Sequence, residues 1–265
     1  MSICQTDAIV LNRYMMGDSS LLVTVYTREY GKIKLVARGA RKSKNQRSSA
    51  LEPFTHISIT FRRKEHRDLQ TLNQVEVASS FRYLSEDLSR MSYAGAVSEL
   101  VNCLIIGEEP SIELFDLILQ TLDGINRQPP EAGEVLFWGF QLRFATSFGY
   151  APQFLLCATC DHPLEEGDVR FSPSLGGALC ARCFAQDTSA IAISMGTVKL
   201  MARIQHLPMD RLARLRPSYR SRHEITRVIG SFFLYHMEGA RELKSLKFLK
   251  SLDFDQTPVQ NTFTK

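Results

Sequence analysis

No stretch of this chain is apolar for long enough to cross a bilayer. Purely apolar runs such as Leu104-Ile105-Ile106 fall far short of the ~20 residues a membrane helix requires. The opening residues, Met1-Ser2-Ile3-Cys4-Gln5 and then Asp7, offer neither the basic nor the apolar region of a secretory signal. A cytoplasmic protein with no membrane partner is therefore expected. In that reducing compartment the six cysteines do not form a disulfide framework, which leaves metal or redox chemistry for them. Catalytic signatures are missing as well. There is no Walker A loop, no G-x-G-x-x-G, no H-E-x-x-H and no G-x-S-x-G, and the histidines are scattered. A role without catalysis is the expectation.

What is present is enough apolar material for a sizeable core: 44% of 265 residues, including 16 Phe but one Trp. Residues 1–80 read as β. Leu21, Val23 and Val25 recur at every second position, as do Ile33, Leu35 and Ala37, then Ile57, Ile59 and Phe61, then Val75 and Val77. Together with Ala8-Ile9-Val10-Leu11 they make five short strands, and an OB-type barrel is the common five-stranded solution of that size. From about residue 81 the period becomes helical. Ile112, Phe115, Ile118, Leu119, Leu122 and Ile125 form one stripe, Phe137, Phe140, Phe144 and Phe148 a second, and Ile225, Val228, Ile229, Phe232, Phe233 and His236 a third. Met91–Ile106 and Val198–Leu207 add two more helices. The expected fold is α+β: an OB-fold over 1–80, helices over 81–152 and 188–252, a zinc finger over 153–187 between them, and a disordered tail over 253–265.

The finger rests on Cys157, Cys160, Cys180 and Cys183, two C-x2-C pairs on either side of a Gly176-Gly177 turn. Each pair wraps two sulfurs around one side of an ion, and two pairs complete a tetrahedron that suits zinc. Four protein ligands leave no position for water or substrate, so one structural zinc per chain is expected. His162 lies near enough to raise a Cys3His alternative, which a complete Cys4 set makes unnecessary. Cys4 and Cys103 stand alone.

Charge is segregated. Residues 1–80 carry 13 Lys and Arg against seven Asp and Glu; residues 81–198 carry six against 15; residues 199–250 carry twelve against four. Basic ends flanking an acidic middle attract polyanions. Lys32, Lys34 and Arg38 share the outward face of the third strand, and Arg41, Lys42, Lys44 and Arg47 follow with no acid between Lys32 and Ala50. Arg62, Arg63, Lys64 and Arg67 are expected in the loop after the fourth strand. A basic face beside a basic loop tracks a phosphate backbone, and Tyr14, Tyr26, Tyr30 and Phe54 are available either for stacking or for the core. Near the C-terminus, Arg211, Arg214, Arg216, Arg220, Arg222 and Arg227 precede an alternation of lysines and apolar residues over 243–250. That block reads as an amphipathic helix packed on the body, or as a cation-rimmed pocket for an acidic, hydrophobic peptide tail.

Several strings resemble bacterial RecO DNA-repair proteins: Gly17-Asp18-Ser19-Ser20, Thr27 through Gly31-Lys32, Ala37-Arg38-Gly39-Ala40-Arg41-Lys42, Leu51-Glu52-Pro53-Phe54, Phe148-Gly149-Tyr150 and Leu243-Lys244-Ser245. The resemblance covers about residues 5–252. It implies a nucleoid-associated recombination mediator that binds single- and double-stranded DNA, anneals complementary strands and helps load RecA onto strands coated by single-stranded-DNA-binding protein. It implies RecR and, in some settings, RecF as partners, and docking of the acidic C-terminal tail of single-stranded-DNA-binding protein on the helical part. By the same resemblance the four cysteines hold zinc, and Lys32, Lys34, Arg38, Arg41 and Lys42 fall on the basic OB segment. The competing reading is a zinc-stabilised adaptor whose main role is to bind protein partners.

Overall fold

The computed structural model describes residues 2–40, 46–64, 67–237 and 243–254. Strands β1 (Ser2–Met16), β2 (Ser20–Thr27), β3 (Gly31–Ala37), β4 (His56–Arg63) and β5 (Leu69–Ser79) close into a barrel in the order β1-β2-β3-β5-β4. The β3–β5 pairing is parallel and short, and the other pairings are antiparallel. A short helix, α1 (Gln46–Ala50), lies between β3 and β4, where the sequence suggested only a basic loop. This is the OB architecture that the alternation implied.

β1 is far longer than the run Ala8–Leu11 that marks it in the sequence. Its first half pairs with β4 and its second with β2, with a bulge between Val10 and Asn12. A strand shared by two neighbours bends at the bulge and changes its buried face, so no single period-two pattern runs through it. Val10, Val23, Val25, Leu35, Ile57, Ile59 and Phe61 fill the barrel. Ile9, Leu11 and Tyr26 point outward instead and join a second, larger core.

That core belongs to α2 (Leu88–Leu104), α3 (Ile112–Arg127), α4 (Gly133–Ser147), α5 (Met195–His206), α6 (Met209–Leu212), α7 (Tyr219–His236) and α8 (Lys244–Phe254). Four starts are capped by short oxygen-bearing side chains: Asp87 accepts from the Arg90 N–H, Ser111 from Leu114, Ser194 from Thr197 and Ser218 from Ser221. Phe137, Phe140 and Phe144 are buried as their stripe predicts, but Phe148 lies just past the end of α4 and stays part-exposed. Glu224, on α7, is buried and accepts the backbone N–H of Ser194 at 3.0 Å and its hydroxyl at 2.8 Å. It thereby fastens the start of α5 to α7. Helix α8 sits on α2, where the Ser245 N–H and hydroxyl donate to Glu99 at 3.3 and 3.1 Å. It continues to Phe254, past the expected start of the tail at 253; residues 255–265 lie outside the described residues.

The barrel docks on the helices through the β2–β3 end. The guanidinium of Arg28 grips Asp116 with two bonds of 2.7 and 3.2 Å and lies over the Phe115 ring. The Ser111 N–H donates to the Tyr26 hydroxyl at 3.2 Å, and Lys32 Nζ donates to the Asn102 carbonyl at 2.8 Å. Gly31 lies at φ +64°, and a Cβ there would sit 2.6 Å from the Glu109 carbonyl oxygen. Only glycine satisfies both the left-handed backbone and that approach.

Two outcomes follow. Gly31→Ala should lower unfolding free energy by about 2 kcal/mol, more than Gly17→Ala at a similar φ with open space around it; equal losses in denaturant titrations would contradict the docking role. Burial disfavours a charged Glu224, but bonds from Thr197, Ser194 and Arg220 outweigh it and hold its pKa down, from 4.5 to about 2. A depressed carboxylate contributes stability above pH 4.5 that is lost as pH falls toward 2. Glu224→Gln should therefore flatten the acid side of the stability profile between those values, and an unchanged profile would exclude that linkage.

Candidate metal centre and nucleic-acid surface

The four cysteines come together. The sulfurs of Cys157, Cys160, Cys180 and Cys183 all lie within 4.8 Å of one another. Cys160 and Cys180 are 3.8 Å apart, which matches the edge of a tetrahedron built on Zn–S bonds of ~2.3 Å. Each pair sits in a knuckle of the backbone. The Asp161 N–H donates to the Cys157 carbonyl at 2.9 Å, and the Cys183 N–H to the Cys180 carbonyl at 2.9 Å. Burial works against a Cys157 thiolate, but the N–H groups of Cys180, Thr159 and Cys160 prevail and bring its pKa to about 6. Burial and the neighbouring sulfurs push Cys183 up to about 12. Four sulfurs held this close repel one another as thiolates unless a cation sits among them. Cys157 and Cys183 are buried and the other two half-buried, so the centre is closed in the manner of a structural zinc site. His162 turns its ring to the Cys160 carbonyl at 2.8 Å and stays outside the set.

Strands β6 (Val169–Ser172) and β7 (Gly177–Leu179) form the hairpin between the knuckles. A third strand, β8 (Ile191–Ile193), pairs with β6, so the finger's sheet reaches beyond residue 187, the expected boundary. Gly177 lets the first knuckle approach: a Cβ there would lie 2.7 Å from that of Ala158. Phe171 is wholly buried between Phe154 and Phe232, and His236 Nε2 meets the Pro173 carbonyl oxygen at 2.7 Å. The finger is thereby keyed onto α7.

A second site lies on the barrel. A groove of about 870 Å³ runs between the β1–β2 turn and the β4–β5 loop, lined by Arg38, Arg62, Lys64 and Arg67 with Asp68 the acid among them. The loop is braced from below by Gln70, which is buried. It accepts from the Lys64 N–H at 2.8 Å and donates to the Lys64 and Arg67 carbonyls at 3.1 and 2.5 Å. Among the described residues, Arg38, Arg62, Lys64 and Arg67 enter no ion pair. These two loops and the adjoining strands are where OB barrels take oligonucleotides.

The sequence-derived residues divide. Arg38 and Arg62 line this groove. Lys34 is exposed but faces a smaller cleft of about 270 Å³ with Asp68 and Glu108. Lys32 is held on the Asn102 carbonyl, and burial, with Lys34 beside it, lowers its pKa. Arg41, Lys42 and Lys44 lie outside the described residues, and Arg47 falls on α1. Arg62 and Arg63 close strand β4 rather than occupying the loop, and Arg63 is taken by Glu108 and the Tyr30 ring. Lys64 and Arg67 are held at the groove by Gln70, three residues past Arg67 and six past Lys64, whose amide bonds to the loop backbone. Tyr26 is core, Tyr30 packs on Phe61, Phe54 packs against the helical core, and Tyr14 is open. In the C-terminal block, Arg220 pairs with Glu224, Arg222 with Glu134, and Arg216 with the Ala213 carbonyl. Among the described residues no helix is long and apolar enough to cross a membrane.

The family model for the recombination protein O N-terminal domain matches residues 1–81, and that for its C-terminal domain matches residues 85–247. The chain belongs to the RecO family of DNA repair proteins. It is 35% identical over 259 residues to DNA repair protein RecO of Pelotomaculum thermopropionicum, covering 98% of this chain and 97% of that one. It is 34% identical to the RecO of Symbiobacterium thermophilum, over 95% and 98% of the two chains. A third RecO, from Halalkalibacterium halodurans, is 32% identical over 94% and 95%. Family membership places the chain in DNA repair, and the RecO motifs now have structural reasons. Gly31 admits the helices, and the Glu52 of Leu51-Glu52-Pro53-Phe54 pairs with Arg13 at 2.5 Å. Ser245 meets Glu99.

Elemental analysis of metal-replete protein should find about one zinc per chain, with Cys157→Ala losing it and melting several degrees lower. Affinity for DNA should change by no more than about twofold, since the finger touches the helices. A folded Cys157→Ala protein with full zinc, or with no DNA affinity, would contradict the assignment.

Proposed function

We propose that this chain is a recombination mediator without catalytic activity, which binds single- and double-stranded DNA along the groove and anneals complementary strands. The observation that carries the reading is the groove itself, four cations on an open OB surface that enter no ion pair among the described residues. Two strands approaching one another repel through their phosphates, and a cationic surface that neutralises both lowers that barrel-side repulsion while leaving bases free to pair. From the same family reading we propose RecR and RecF as partners, RecA loading as the outcome, and the acidic tail of single-stranded-DNA-binding protein as a ligand of the helical part. With Arg220 and Arg222 in ion pairs and Arg216 on the Ala213 carbonyl, the exposed Arg211, Arg214 and Arg227 enter no ion pair among the described residues and are candidates for such a tail. An adaptor role draws support from one feature, the exposed Leu234 and Tyr235 on α7.

With about four phosphates neutralised on a single strand, log K should fall with log salt at a slope near −3. Arg38→Ala with Arg62→Ala should flatten that slope by about 1.4 and slow annealing of complementary oligonucleotides at low salt by about tenfold or more. Unchanged slope and annealing in this double variant, with repair function retained, would favour the adaptor.

A further inference from the structure

The outer surface of the barrel carries an apolar row beside its cations. Tyr14 pairs with Leu22, Leu22 with Val36, Val36 with Thr71, and Thr71 with Arg62. Residues directly opposite on neighbouring strands project to the same side. Their neighbours Leu21, Leu35 and Phe61 fill the interior, so this row faces out. It crosses β1, β2, β3, β5 and β4 in turn, beginning at a tyrosine and ending at an arginine of the groove. Val36, Thr71 and Arg62 line the groove directly, and Met16, two residues after Tyr14, lines it too.

Tyr14 is 60% exposed, while Tyr26 is fully buried and Tyr30 packs edge-on against Phe61 at 5.4 Å. Among the described residues, Tyr14 has no hydrogen bond or ring contact, and it is the one aromatic of the barrel left so open. An unpartnered aromatic at the end of an apolar row that runs into a cationic groove has the composition of a single-strand binding face: cations for phosphates, a ring and aliphatic side chains for bases. A duplex presents phosphates outward and keeps its bases stacked, so it can use only the cations.

We propose that Tyr14, with Leu22 and Val36 beside it, is a base-stacking platform that serves single strands and not duplex. The proposal rests on the DNA-binding reading above and adds to it the orientation of the strand, with bases toward the barrel. The test is fluorescence anisotropy on the full chain with three labelled ligands of about 20 nucleotides: oligothymidine, an abasic strand and a blunt duplex. Tyr14→Ala should weaken oligothymidine binding about tenfold and leave the abasic strand and the duplex within about twofold, and Tyr14→Phe should restore the loss. In Tyr14→Trp, the new indole should be quenched by oligothymidine, against the background of Trp138, the sole native tryptophan, which is buried. No weakening, equal weakening of all three ligands, or a Tyr14→Trp indole unquenched at saturation would each overturn the platform. If Arg38→Ala with Arg62→Ala left all three affinities unchanged, the groove reading itself would fall, a result distinct from failure of the platform alone.

Discussion

The barrel and the helices meet along an edge that leaves no room for a single extra carbon, because the backbone at Glu108 and Glu109 occupies the place of a side chain at Gly31. Arg28 and Asp116 are each about a third exposed, at 34% and 38%, and a pair in that setting contributes at most about 1 kcal/mol. What holds the edge is burial. Ile9, Leu11 and Tyr26 leave the barrel surface for the helical core, and each buried side chain of this size contributes roughly 1.5–3 kcal/mol. The ionic and hydrogen-bonded contacts fix the angle. Tyr26 shows both effects: burial raises its phenol pKa and keeps it neutral, and the neutral oxygen accepts the N–H that begins α3.

This edge decides which cations remain for a ligand. Arg28, Lys32 and Arg63 all belong to the basic N-terminal block, yet they are bound to Asp116, the Asn102 carbonyl and Glu108. The acidic middle of the chain is thus partly a counter-surface for the barrel, and net charge by segment overstates what the barrel offers to DNA. Four of the cations that stay open, Arg38, Arg62, Lys64 and Arg67, cluster between the β1–β2 turn and the β4–β5 loop, while Lys34 stands exposed in the cleft beside Glu108. Docking and binding share one basic domain by using different ends of it.

Strand alternation from Leu21 to Phe61 was legible because a barrel has one inside and one outside. The Cys4 centre was legible because metal chemistry demands its ligands at short spacing, whatever the surrounding fold. Long-range pairing was not legible. Nothing near Lys32 announces Asn102, and nothing near Arg63 announces Glu108. The two halves of β1 escaped for a related reason, since the bulge at Val10 changes the buried face midway. The finger's third strand was hidden by its brevity, Ile191-Ala192-Ile193, too few residues for a period to register.

The finger packs on the helices and not on the groove. Its three strands are four residues long or fewer, and sheets so small do not persist in water by themselves. An ion held by the four cysteines would close the long loop between the two knuckles and stiffen the hairpin. Rigidity matters because the hairpin presents Phe171 to Phe232 and a carbonyl to His236, both on α7, and α7 holds the start of α5 through Glu224. Among the described residues its polar contacts outside itself go to the helices, including Lys199 with Glu166 and Gln205 with the Pro152 carbonyl. With a metal bound, order would pass from the cysteines to the hairpin, to α7 and to α5. Four thiolates around one divalent cation would keep a net charge of about −2, which beside the groove would repel a polyanion; the finger's contacts go to the helices instead.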